Sequence, residues 1–272
     1  MEATFSIRAP HAEAAALIKG KPVVARAAFD KLLPELRGRA FTITGVEAAT
    51  VQQRVRDAIA GIATGDTWDA AKKDILAELD PYLGDGAENR AELLLRTHGF
   101  QAFQAAQWET AQADADTVAL QYLTMEDDNV RDSHAALNGI ILPKDDPFWE
   151  KHYPPWDWGC RCMVRTINPD QLAEEKASDQ QEAPENRNVI EGAVAAQLRN
   201  GTLMRDGQRF DVTPPSDGPA GDKAFAWNPA DLRLPLAQLE ARYDAPVWAE
   251  FRAWAKKQKL GGAVKLWDWL TA

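Results

Sequence analysis

Apolar residues recur at three- and four-residue spacing through most of the first 115 residues, which is the spacing of amphipathic helices. The clearest stretch is residues 48–62, in which Val55 and Ile59 share one helical face. The same spacing predicts two further helices, over residues 67–81 and 87–113. The N-terminal half is therefore predicted to be helical.

The pattern changes at Val118, where apolar and polar positions begin to alternate. Short strands are predicted over residues 118–123, 139–143 and 162–167, with loops rich in Asp and Pro between them. A hairpin that turns at Asp206-Gly207 and an aromatic helix that contains Trp248 follow. Together these elements predict an α+β fold, in which the helical N-terminal half precedes a small mixed α/β core and a small C-terminal extension.

Composition divides the chain further. Residues 169–190 are polar and nearly free of large apolar side chains, which is typical of a linker. The predicted organisation is a helical N-terminal region (1–115), a core (116–168), this linker (169–190), and a C-terminal extension with the hairpin and the aromatic helix (191–272).

The 272 residues carry a net charge of −10, which argues against a protein that coats nucleic acid. Residues 1–65 are the exception, with nine basic and six acidic residues. This excess favours an acidic partner or a DNA end, or it reflects ordinary solvated helix faces. No apolar run approaches the roughly 18 residues of a membrane span, and no secretory signal is evident. The two cysteines are separated by a single residue, so they cannot join distant segments by a disulfide. This indicates a protein made in a reducing cytoplasm.

Residues 122–167 concentrate the rare residue types: both cysteines, two of the four histidines and three of the ten tryptophans. In an extended segment Cys160 and Cys162 face the same side, whereas a disulfide between them would be strained. Thiolates and imidazoles are good zinc ligands, so His134 and His152 could complete a four-ligand clip. The alternative is two half-buried thiols and a His134 that is hydrogen-bonded within a core.

Asp127 and Arg131 precede His134 at spacings that place all three on one face of a helical turn. An ion pair between Asp127 and Arg131 is expected there. The cluster could act as an acid/base group with an anion-binding arginine. The favoured interpretation is a structural network that locks the loop between two strands. In either case Asp127 or Asp157 is a candidate substitute metal ligand.

Two aromatic segments are candidates for docking to a partner. The loop Pro154-Pro155-Trp156-Asp157-Trp158 is stiffened by its prolines, and Trp156 and Trp158 on it could anchor an interface or cover the loop's own core. The second segment, 266–270, contains Trp267 and Trp269. Because it follows Gly261-Gly262 and has little of its own to pack on, a docking role is favoured.

The order Asp127-x-x-x-Arg131-x-x-His134, then Asp145-Asp146-Pro147-Phe148-Trp149, then His152-Tyr153-Pro154-Pro155 and Gly159-Cys160-Arg161-Cys162, closely resembles the phage Mu F-like minor head proteins. The resemblance extends over most of residues 30–235 and includes Ala224-Phe225-Ala226-Trp227-Asn228-Pro229. It implies a structural core motif made of Asp127, Arg131, His134, Gly139, Pro154, Pro155, Cys160, Arg161 and Cys162.

What the resemblance implies is a non-enzymatic minor capsid protein of a tailed phage or prophage. Such a protein is located in the virion head, and in the host cytoplasm during assembly. Its expected partners are the portal protein, a scaffold or the major capsid protein, with contact to phage DNA during packaging or ejection. Two alternatives stay open. One is a zinc-dependent hydrolase or nuclease that uses His134, Cys160 and Cys162 with Asp127 as base. The other is an adaptor of a delivered effector.

Overall fold

The computed structural model describes residues 11–157, 159–214, 236–259 and 265–270. The chain divides into two compact units: a terminal unit of Met1–Leu95 with Asp231–Ala272, and a central unit of Arg96–Ala230. Among the residues described, no helix combines the length and the apolar composition that crossing a bilayer requires.

The regular elements match the predicted α+β class. The helices are α1 (Ala12–Gly20), α2 (Arg26–Phe29), α3 (Pro34–Arg37), α4 (Ala49–Thr64), α5 (Trp68–Leu83), α6 (Ala87–Leu94), α7 (Phe100–Ala113), α8 (Asp132–Ala135), α9 (Trp149–His152), α10 (Pro169–Ser178), α11 (Gly192–Arg199), α12 (Leu236–Arg242), α13 (Ala245–Lys257) and α14 (Leu266–Leu270). The strands are β1 (Ala119–Leu123), β2 (Ile141–Pro143), β3 (Met163–Ile167), β4 (Thr202–Arg205) and β5 (Gln208–Asp211).

The helical pattern of the N-terminal half is confirmed. In the terminal unit α4 packs between α1 and α5 and buries Val55 and Ile59. Gly65 ends α4 in a left-handed conformation, and the Thr67 hydroxyl caps α5 by accepting a hydrogen bond from the Ala70 amide. The predicted helix over 87–113 is α6 and α7, joined by the π-helical turn Leu95–Gly99.

The C-terminal aromatic segment is part of a core. Leu266 and Leu270 of α14 are buried in a cluster with Trp248 and Phe251 of α13. Trp267 is partly buried against the same cluster, 6.0 Å from the Trp248 ring centroid. The expectation that residues 266–270 have little to pack on is therefore wrong, and with it the reason for assigning Trp267 a docking role. The Gly261-Gly262 break and the side chain of Trp269 lie outside what is described.

In the central unit the three predicted strands form one antiparallel sheet in the order β2-β1-β3. Leu120 lies opposite Leu142 on one side and Thr166 on the other. On the free side of β3, two glutamines of α7 donate side-chain hydrogen bonds to strand-edge carbonyls: Gln104 to Cys162 (3.3 Å) and Gln107 to Val164 (2.5 Å). Side-chain amides thus satisfy acceptors that an edge strand would otherwise expose.

The predicted hairpin is confirmed as β4–β5, which pairs Arg205 with Gln208 and turns through Asp206 and Gly207, both with positive φ. The segment predicted as a linker contains α10, whose first turn is closed by reciprocal hydrogen bonds between Asn168 and Gln171. The predicted division at residues 115, 168 and 190 stays a prediction. The Ala224–Pro229 motif lies outside the described residues.

Candidate functional site

Three side chains that are far apart in sequence meet inside the central unit. His134 lies on α8, Cys160 in the loop that follows α9, and Cys162 directly before β3. One ligand atom from each lies within 4.8 Å of the others. The His134 Nδ1 is 3.4 Å from the Cys162 Sγ and 3.7 Å from the Cys160 Sγ. All three residues are at least 94% buried. The predicted His/Cys cluster is therefore assembled, as a buried three-member group.

Sheet register explains why these residues meet. In the β1–β3 pair Leu123 lies opposite Met163, so the chain leaving β1 and the chain entering β3 run side by side. Cys162 immediately precedes Met163, and α8 begins nine positions after Leu123. The connection folds back onto the sheet because the Tyr122 amide donates to the Ile140 carbonyl and the Gly139 amide donates to the Tyr122 carbonyl. His134 is thereby held over the start of β3.

Two aromatic residues enclose the cluster. The Trp156 indole stacks on the His134 ring, with centroids 3.9 Å apart and planes 9° from parallel. The Trp156 Nε1–H donates to the Tyr122 hydroxyl at 2.7 Å, and that hydroxyl lies 3.4 Å from the His134 Nδ1. Burial raises the pKa of Tyr122 well above its usual value, so the phenol stays neutral. Trp156 is 1% exposed, which corrects the docking role proposed for it and supports the alternative, a core role.

The two thiols differ electrostatically. Their mutual contact lowers the pKa of Cys160 well below its usual value, and His134 adds to that lowering. The same contact, together with burial, raises the pKa of Cys162. Cys160 is therefore the sulfur that ionises first. No disulfide joins the two, and both are free cysteines.

The charged residues of the motif pair differently from the sequence expectation. Asp127 forms a two-point ion pair with Arg161, with Nη–Oδ distances of 2.7 and 2.5 Å. Arg131 pairs with Asp157, with 3.1 Å between Nε and Oδ2. The expected Asp127–Arg131 pair is thus corrected. Residues 127–131 form a turn rather than a helix, since the Asn129 amide donates to the Asp127 carboxylate, so spacing of four residues does not bring the two charges together. Arg161 holds the pKa of Asp127 below its usual value.

His152 is not brought to the cluster. Its ring stacks on Phe148, and its Nε2 lies 2.7 Å from the Val212 carbonyl oxygen. Nδ1 lies 3.1 Å from the Phe148 carbonyl oxygen. Burial lowers the pKa of His152 to about 4, so the ring is neutral at pH 7. With both nitrogens directed at backbone oxygens, His152 has a structural role in this arrangement. Asp157, the candidate substitute ligand, is engaged with Arg131.

The remaining motif residues shape the loops. Gly139 has φ +82°, and a Cβ there would lie 2.8 Å from the Asn188 side-chain oxygen. The Pro154-Pro155 peptide bond is cis. Trp158 lies outside the described residues.

Sequence reasoning missed several supporting residues. The sequence pattern predicts an ordinary strand position for Tyr122 and an ordinary helix position for Gln104. Asp146 belongs to the motif, but its ion-pair partner Arg199 lies 53 residues away, so no local pattern predicts the pair. Trp156 was singled out in its Pro-Pro-Trp loop, where an interface role and a role in the loop's own core were both left open.

Comparisons with known proteins bear on the same segment. The family model described as "Phage Mu protein F like protein" matches residues 49–165, which include the motif from Asp127 to Cys162. The chain is 30% identical over 155 residues to the "Mu-like prophage FluMu F protein" of Haemophilus influenzae, an alignment that covers 50% of this chain and 36% of that protein. It is 23% identical over 193 residues to the "Putative capsid assembly protein F" of Escherichia phage Mu, covering 64% of this chain and 44% of that protein.

The predicted resemblance is confirmed, and the family model matches residues 49–165 within the predicted range of 30–235. The chain spans less than half the length of these two curated relatives. No solved structure gives a significant match.

Proposed function

Because residues 49–165 of this chain form a Mu F-like region, we propose that the protein is a minor head protein of a tailed phage or prophage and acts in head morphogenesis. The observation that carries the proposal is that the matched segment contains the whole motif from Asp127 to Cys162, including the buried cluster of His134, Cys160 and Cys162. The phage Mu relative, named "Putative capsid assembly protein F", agrees with this role.

The geometry of the motif supports a structural and non-enzymatic role. His134, Cys160 and Cys162 are buried beneath Trp156, and the charged residues around them are engaged in ion pairs. A carboxylate that is bound at two points by an arginine is a weak base, because the arginine stabilises its charged form. We therefore assign the motif to holding loops together.

The proposed partners are the portal protein, a scaffold or the major capsid protein, and the proposed stage is head assembly with DNA packaging or ejection at the portal. The protein would be made in the host cytoplasm and retained in the virion head. Contact with phage DNA is assigned to residues 1–65, where basic residues outnumber acidic ones by nine to six.

The first test is the copy number of this protein in purified procapsids and mature heads, measured by quantitative mass spectrometry against the major capsid protein. A low and constant copy number is expected, and deletion of the gene should reduce the yield of filled heads until the wild-type gene is supplied. Absence from both particle types, or normal head yield without the gene, would contradict the proposal. Crosslinking in procapsids distinguishes the proposed partners: crosslinks to the portal protein support action at the portal, and crosslinks only to the major capsid protein contradict that location.

One observation favours the alternative of a zinc-dependent hydrolase or nuclease: three donor atoms of zinc-binding type lie together. Its predicted base, however, is Asp127, which Arg161 binds. Metal-dependent hydrolysis that is lost in Asp127→Asn, with zinc still bound, would support the alternative. Equal rates in the wild type, in Asp127→Asn and in buffer would exclude it.

A further inference from the structure

The buried cluster of His134, Cys160 and Cys162 has the donor chemistry and the spacing of a metal site. We propose that these three side chains bind one zinc ion, which ties α8 to the loop that enters β3. The proposal concerns the chain's own metal content and does not depend on the proposed role in the phage head.

Spacing is the first argument. With zinc–sulfur bonds of about 2.3 Å and zinc–nitrogen bonds of about 2.05 Å, tetrahedral geometry places ligand sulfur and ligand nitrogen about 3.6 Å apart. The two observed Sγ–Nδ1 distances, 3.4 and 3.7 Å, lie on either side of that value. The two distances are therefore compatible with one ion that contacts Nδ1 and both sulfurs, whose ligand atoms all lie within 4.8 Å of one another.

The orientation of the imidazole is the second argument. The Nδ1 atom faces both sulfurs and the Tyr122 hydroxyl. Within the described part of the chain, the buried Nε2 has no hydrogen-bond partner. Whichever nitrogen carries the proton, the polar contacts of this ring are made through Nδ1. The Trp156 indole stacked on the ring fixes that orientation.

A small cavity supplies the fourth position. It has a volume of about 10 Å³, and it is lined by the three cluster residues together with Asn129, Arg131 and Gly159. That volume is close to the minimum of about 10–15 Å³ that holds one water molecule. Three protein ligands and one water complete a tetrahedral zinc shell.

The donor set selects the metal. Two thiolates and an imidazole favour zinc over magnesium or calcium, which prefer oxygen ligands. The competing explanation is a metal-free core in which a thiol and an imidazole hydrogen-bond. The two explanations differ in metal content and in the response to a chelator, so both can be measured on the wild-type chain.

The experiment uses the full chain, purified without a histidine tag and dialysed against metal-free buffer. Elemental analysis is expected to give about one zinc per chain, and a strong chelator should lower the melting temperature. Cobalt(II) added to the stripped protein should produce a thiolate-to-cobalt absorption band in the near ultraviolet, which zinc then abolishes. Absence of zinc, no cobalt band and an unchanged melting temperature would together overturn the proposal.

Variants locate the site. Cys160→Ser and Cys162→Ser should each lose most of the bound zinc and the cobalt band. His152→Gln is the matched control, because His152 is a buried histidine of the same unit that lies outside the cluster, and it should keep both. Full zinc content in a cysteine variant, or its loss in His152→Gln alone, would overturn the assignment. If a cysteine variant does not fold, the wild-type chelation and cobalt measurements still decide the question.

Discussion

Asp127 and Arg161 form a two-point ion pair although 34 positions separate them in sequence. The pair joins the loop that leaves β1 to the Cys160–Cys162 segment that enters β3. Arg131 and Asp157 form a second pair between the same two loops. Two ion pairs therefore connect the loop that leaves β1 to the segment that enters β3, and Arg131 and Arg161 also line the small cavity beside the cluster.

Arg161→Ala should lower the denaturant midpoint more than Arg165→Ala does. Arg161 is 19% exposed and bound at two points, whereas Arg165 is 46% exposed and its pair with Glu175 spans 3.2 Å. Exposed single-contact pairs contribute little, because water screens the attraction and ordering the side chains costs entropy. Equilibrium urea unfolding of both variants checks this. Equal midpoints for the two variants would show that the Asp127–Arg161 pair contributes no more than a surface contact.

Gly139→Ala should destabilise the protein by about 1–2 kcal/mol through left-handed backbone strain, and by somewhat more because the terminal Oδ1 of Asn188 has to move away from the added Cβ. The φ of Gly139 is +82°, and the added Cβ would lie 2.8 Å from the Asn188 Oδ1. Gly207→Ala is the control, because φ there is +74° but no atom lies within 4 Å of the added Cβ. It should cost only about 1 kcal/mol, from strain alone. The free energy of unfolding of both variants is measured by chemical denaturation. An equal decrease in Gly139→Ala and Gly207→Ala would rule out a role for the Asn188 contact.

Arg199→Ala should lower the free energy of unfolding by about 2 kcal/mol. This is less than the loss expected for a fully buried ion pair, because the arginine is partly solvated. The Asp146 side chain is 2% exposed, and it accepts hydrogen bonds from two nitrogens of Arg199 and from the Phe148 amide. Removal of Arg199 leaves a buried carboxylate without its cation. A double-mutant cycle with Asp146→Asn measures the coupling. Additive effects of the two substitutions would show that the residues do not stabilise each other.

Acid should destabilise the wild type more than His152→Gln between pH 6.5 and about 4. The folded-state pKa of His152 is lowered to about 4 by burial. Below the unfolded value of about 6.5, the unfolded chain binds a proton that the folded chain does not. The contribution of His152 to the free energy of unfolding is therefore complete above about pH 6.5. It decreases as the pH falls toward 4, by at most roughly 3 kcal/mol.

The measurement is the free energy of unfolding at several pH values, with chelator present so that metal release does not contribute. Gln retains a side-chain amide for the Val212 carbonyl but does not titrate in this interval. Parallel pH profiles for the wild type and His152→Gln would contradict the assignment of a neutral buried His152.

Local pattern determined much of the fold. The helical spacing in 48–62 and the alternation in 118–123 both correspond to observed elements. The reason is that the side-chain period of a helix or a strand depends only on residues close together in sequence. The turn at Asp206-Gly207 was predictable for the same reason, since two adjacent residues that tolerate positive φ specify it. The Cys-x-Cys spacing likewise placed both sulfurs on one side.

The tertiary structure decided which residues far apart in sequence contact each other. The register of β1 against β3 brings Arg161 to Asp127, a pairing that competes with the nearer Arg131 and prevails because 127–131 is a turn. The same packing turns Trp156 inward onto His134 and directs His152 to the Val212 carbonyl, 60 positions away. The sequence by itself determined which residue types could form a site. Which of them meet depended on strand register and burial, because those are properties of the whole packed unit.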